Sequence, residues 1–128
     1  MLRFQNIFKQ LTGSKMSENR DKIKRLALNV RNNPTDSFSK FALALELLKN
    51  NQPQKALALF ESVYTFDPEY LGVYYHLGKL YQSMNRFQDA EKCFKEGIVV
   101  AEHQNEQRTL SELKEALVLL EEEKNYED

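Results

Sequence analysis

Six residue pairs in this chain match at a constant separation of 34 positions: Leu43 with Leu77, Ala44 with Gly78, Leu47 with Tyr81, Asn51 with Asn85, Ala56 with Ala90 and Phe60 with Phe94. Pro34 and Pro68 keep the same spacing. A fixed period of this length is the mark of stacked helical units, each too small to bury its own apolar face. It argues against a globular enzyme and for a protein that binds something.

Composition agrees with helices. The 128 residues hold only 4 glycines and 3 prolines, and 29% of them are charged. With few turn formers and many helix formers, the chain reads as all-α. The net charge is −1, so the broad basic field of a nucleic-acid binder is missing. Cys93 is the one cysteine, which rules out an intrachain disulfide and favours a reducing compartment. No apolar run approaches the roughly 18 residues of a membrane span.

Charge is unevenly placed. Residues 1–25 carry net +5 and residues 102–128 carry net −6, with a neutral body between them. This polarity suggests head-to-tail self-association, basic start against acidic end. Simple solvation of the two ends is the plainer explanation.

The first 12 residues place Leu2, Phe4, Ile7, Phe8 and Leu11 near helical spacing, with Arg3 and Lys9 as their only charges. They read as a membrane-surface helix, a mitochondrial-type presequence, or a plain extension. Residues 1–15 are therefore set apart from a single domain over 16–128. A leading helix is expected from about Ser17 to Arg31, with Ile23, Leu26, Ala27 and Val30 on one stripe. Asn32-Asn33-Pro34 ends it.

Thr35 or Asp36 caps a strongly apolar helix over 36–50, and Pro53 opens another over 53–66. Further helices are expected over 70–84 and 87–104, with Asn85 between them as a residue tolerant of left-handed backbone. A last helix, 108–123, carries Leu110, Leu113, Leu117 and Leu120 on one stripe, beside Glu112, Glu115 and the run Glu121–Glu123. Residues 124–128 are expected to fray.

Tyr74, Leu77, Gly78, Tyr81, Ala90 and Phe94 stand at the signature positions of the tetratricopeptide repeat, and the chain resembles that family. Leu43, Ala44, Leu47, Ala56, Phe60 and Pro68 give a second copy, with Lys40 where a bulky residue is usual. The stretches FALALE (41–46) and YYHLGKLY (74–81) also look like small bacterial members with two repeats between capping helices. The resemblance implies a right-handed α–α superhelix: a degenerate half-repeat over 16–34, repeats over 35–68 and 69–104, and a capping helix over 105–123.

It also implies a function. In this family the first helix of each hairpin lines a concave groove that takes a peptide or helix of a partner protein. Carried over, the groove residues are Phe38, Phe41, Leu45 and Leu48, then Tyr75, His76, Lys79 and Gln82, with Thr109, Leu113 and Ala116 added from the last helix. The aromatic residues serve as anchors, while His76 and Lys79 orient polar or acidic groups. Phe38 and Phe41 are equally readable as core beneath the leading helix. One subfamily holds a chaperone's C-terminal carboxylate with Lys and Asn, and here Phe41 and Leu45 occupy those places, so that clamp is absent.

The bland readings are short. His76 and His103 lack companions at metal-ligand spacing. Cys93 precedes a packing Phe94 and reads as a partly buried, inert thiol. No phosphate loop, nucleophile–base pair or metal cluster is evident, so the expectation is a non-catalytic, cofactor-free, cytoplasmic interaction module. A mitochondrial or membrane-peripheral location follows instead if residues 1–15 are a targeting segment.

Overall fold

The computed structural model describes residues 18–127, and the expectations for residues 1–15 and for a cap at Ser17 lie outside them. Six helices account for these residues: α1 (18–32), α2 (Ser37–Lys49), α3 (Pro53–Phe66), α4 (Gly72–Ser83), α5 (Phe87–Gln104) and α6 (Gln107–Glu127). There is no strand among the described residues. The chain divides into two compact units, residues 1–56 and 57–128, and the division falls within α3.

The turns repeat as faithfully as the helices. In one, the amide of Asp36 donates to the Asn33 carbonyl at 3.0 Å; 34 positions on, Tyr70 donates to Asp67 at 3.0 Å. Each encloses a proline at its second position, where a fixed φ suits the bend. The ends of α2, α4 and α5 also share one closure. Asn51, Asn85 and Asn105 adopt left-handed backbone, with φ of 61°, 60° and 57°. The residue after each bonds back five positions: Gln52 to Leu47 (2.9 Å), Arg86 to Tyr81 (2.9 Å) and Glu106 to Ala101 (3.0 Å). These are Schellman closures, which satisfy carbonyls left over at a helix end.

Unit 1 buries Leu43, Ala44, Leu47 and Ala56. Glu46, only 8% exposed, sits among them. It accepts from Lys22 of α1 at 2.9 Å and from Lys49 at 3.4 Å, and the Lys22 ammonium chiefly holds its carboxyl below the usual range. Asp36 takes the N-cap position of α2. Its carboxylate bonds no helix amide and instead accepts from the Ser39 hydroxyl at 2.5 Å.

Unit 2 is built on α4 and α5, with α6 packed against both. Phe60, Leu77, Phe94, Leu113 and Leu120 are fully buried. Gly78 meets the Phe94 ring, and Gly97 meets Tyr74 and Leu113, so both glycines mark close approaches of helices. Tyr74 lies edge-on to Tyr64 at 5.8 Å and donates its hydroxyl to the Pro68 carbonyl at 2.6 Å. The Tyr64 hydroxyl donates to Glu96 (2.6 Å) and that of Tyr81 to Glu61 (2.7 Å), so each half-apolar ring has its polar end satisfied.

Two boundaries differ from the sequence reading. Helix α4 starts at Gly72 because the preceding turn is wound more tightly, with Val73 bonding Tyr70 and Tyr74 bonding Leu71, both at 3.3 Å. Helix α6 continues to Glu127 through the stretch expected to fray. Lys124, reaching Glu91 at 3.1 Å, ties that last turn to α5.

Candidate partner-binding surface

Helix α4 has two unlike faces. Val73, Tyr74, Leu77, Gly78, Leu80 and Tyr81 are buried. Tyr75, Lys79 and Gln82, spaced i, i+4 and i+7, form a second stripe that is only half covered. Tyr75 and Lys79 open onto a depression of about 140 Å³ whose other wall is α6, through Glu112, Glu115, Ala116 and Leu119. Farther along the stripe, Gln82 donates to Glu123 of α6 at 2.5 Å.

His76 lies between two rings. It stacks on Phe60 at 6.1 Å with 14° between planes and meets Tyr75 edge-on at 5.5 Å. Burial pushes its pKa down, against a smaller upward pull from Glu112. The imidazole therefore favours its neutral form.

The structure sorts the remaining groove candidates. In unit 1, Phe38 is 67% exposed, while Phe41, Leu45 and Leu48 are half-buried. In unit 2, Leu113 is fully buried against the Gly97 turn of α5 and belongs to the core. Ala116 is nearly buried yet still forms part of the depression's lining, and Thr109 is half-buried. Glu112 and Glu115 were not among the sequence-derived candidates, although their i, i+3 spacing puts them on one side of α6.

A larger depression of about 410 Å³ lies at the α4–α5 turn, lined in part by Arg86, Asp89 and Lys124. Its charges are already matched, Arg86 to Asp89 at 2.9 Å and Lys124 to Glu91 at 3.1 Å. By contrast, Lys79 and Glu115 make no ion pair within 4.0 Å among the described residues. The smaller site holds the charges a ligand can still use.

Two other groups are chemically quiet. Cys93 is 3% exposed, and burial pushes its thiol up to about 12. Among the described residues no group of three or more His, Cys, Asp or Glu side chains is placed to hold a metal ion. No helix of the described residues is long and apolar enough to cross a membrane.

Comparison with known proteins agrees with this architecture. A profile described as tetratricopeptide repeat matches residues 47–113, and the chain belongs to the tetratricopeptide repeat family. A tetratricopeptide repeat domain protein from Salinibacter ruber is 46% identical, with 67% of this chain and 96% of that one covered and a TM-score of 0.65. The type III secretion translocator chaperone SycD of Yersinia enterocolitica is 12% identical, with coverages of 90% and 80% and a TM-score of 0.77. The TPR2B domain of yeast Sti1, solved as a complex with pHsp70, is 13% identical, with coverages of 93% and 95% and a TM-score of 0.76. At those identities the last two speak for the fold alone, which is the all-α tetratricopeptide-type helical repeat. None of the curated proteins gives a significant match.

Proposed function

We propose that this chain is a non-catalytic protein-interaction module that holds a peptide or helix of a partner protein in a concave groove, against the Tyr75, Lys79 and Gln82 stripe of α4. One observation carries the reading. The second repeat's signature residues, Tyr74, Leu77, Gly78, Tyr81, Ala90 and Phe94, are consumed by packing, whereas Tyr75 and Lys79 stand half-open on the wall of a small depression. An aromatic ring next to a cation and exposed aliphatic carbon is the kind of surface that anchors a partner side chain. His76 supports the Tyr75 ring from behind, and Gln82 extends the stripe.

Phe38, Phe41 and Leu45 form an apolar surface on unit 1, which we assign to partner contact as well. Membership of the tetratricopeptide repeat family lends the general role support. The Lys and Asn clamp is replaced here by Phe41 and Leu45, so capture of a C-terminal carboxylate is not the mode. A cytoplasmic setting fits the lone buried thiol.

The test is a selection of displayed 12-residue peptides on the full chain, followed by affinity measurements on Tyr75→Ala/Lys79→Ala. The selected peptides should bind the variant at least about tenfold more weakly, with its helical circular dichroism unchanged. Undiminished binding would remove α4 from the site.

A further inference from the structure

Lys79 taken alone points to an acidic partner, but its surroundings reverse that sign. Two carboxylates, Glu112 and Glu115, share the depression with the one ammonium group. Glu112 has a cationic neighbour in Arg108 at 3.5 Å, whose side chain is 93% exposed. An ion pair that open is weak and easily exchanged. His76 adds no positive charge near neutral pH, since burial disfavours its protonated form. The lining of the depression itself, two carboxylates against one ammonium, is thus net negative, and Arg108 stands outside it. On its wall, Leu119 is 48% exposed.

We infer that the partner segment is basic and amphipathic, carrying a Lys or Arg within one helical turn of a Leu or Phe. The apolar side chain would lie on Tyr75 and Leu119, and the cation would meet Glu112 and Glu115. Within the depression an acidic segment would face two like charges and a single opposite one, which is the arrangement interfaces use to reject a partner. This inference rests on the α4 surface being the binding site and names the chemistry it selects.

The experiment uses two synthetic 12-residue peptides with identical leucine spacing, one with lysines at its polar positions and one with glutamates. Each is titrated with the full chain by fluorescence anisotropy at about 50 mM and about 300 mM salt. The lysine peptide should bind at least about tenfold more tightly at low salt, and the gap should narrow at high salt. Glu112→Lys/Glu115→Lys should reverse the preference. Glu102→Lys/Glu106→Lys, at exposed positions of the same unit, makes the same change in net charge and should leave the preference in place.

A preference for the glutamate peptide, or none, would overturn the inference and leave the site standing. So would an equal loss of preference in both variants, because the effect would then belong to net charge rather than to this depression. Failure of both peptides to bind would bring down the site along with it.

Discussion

The backbone of Gly78 lies so close to Phe94 that a β-carbon at position 78 would stand 2.7 Å from Cδ1 and 2.8 Å from Cζ of the ring. Phe94 is fully buried and has nowhere to swing. Alanine in a helix interior normally gains up to about 1 kcal/mol over glycine. Here overpacking, at about 1–3 kcal/mol, wins. Gly78→Ala should therefore destabilise the protein by about 1–2 kcal/mol in a denaturant titration; a more stable variant would show that the helices can part at no cost.

The same logic is sharper at Gly97. An added β-carbon would sit 2.6 Å from Cβ of Tyr74, an atom fixed to the α4 backbone. A ring can tilt, but a Cβ moves only with its helix. Gly97→Ala should lose more stability than Gly78→Ala in the same titration. The reverse order would mean that α5 shifts more freely than the Phe94 ring.

Acid should act through Glu46. Its carboxyl titrates below the ordinary glutamate value of about 4.3 because Lys22, above all, favours the charged form. A depressed folded-state value gives stability that is complete above the unfolded value and is lost as pH falls through the folded one. Glu46→Gln should be less stable than the parent at neutral pH, with the difference shrinking below about pH 4. A difference independent of pH would assign the loss to packing rather than charge.

His76 works in the opposite chemical sense but within a higher window. Its folded-state pKa lies below the ordinary value of about 6.5, so the unfolded chain binds the proton more readily. Stability should be complete above about 6.5 and fall as pH drops from there through the folded value. An NMR titration of the His76 ring should give a midpoint under 6.5, and a midpoint above it would contradict the burial described here.

Much of this organisation is legible in the chain itself. Helices α3 and α5 begin and end where proline and the apolar spacing put them, at 53–66 and 87–104. Asn85 takes the left-handed turn expected of it. What stays hidden depends on contacts outside the 34-residue period. Gly97 corresponds to Val63 in the preceding repeat, and it is glycine because α6 adds Leu113 to the space around Tyr74. That Lys79, Glu112 and Glu115 line one depression is invisible for the same reason, since α6 lies outside the two 34-residue repeats. Glu46 occupies the place of Leu80, and Lys22 of α1, helped by Lys49, accounts for a carboxylate there.

The thiol offers a simple check on the packing of unit 2. Held up to about 12 and nearly sealed from solvent, Cys93 should react with a disulfide reagent at pH 8 on the order of a hundredfold more slowly than in denaturant. Rapid modification of the native protein would mean that α5 opens readily.

The asparagines that close α2, α4 and α5 also matter when the protein is not folded. Glycine would enter the left-handed region with less strain, yet it would leave the denatured chain far more conformations to surrender on folding. Asn51, Asn85 and Asn105 accept a small native penalty while restricting the unfolded ensemble at three hinge points. Part of what favours the native state is thus written into the chain before any helix has met another.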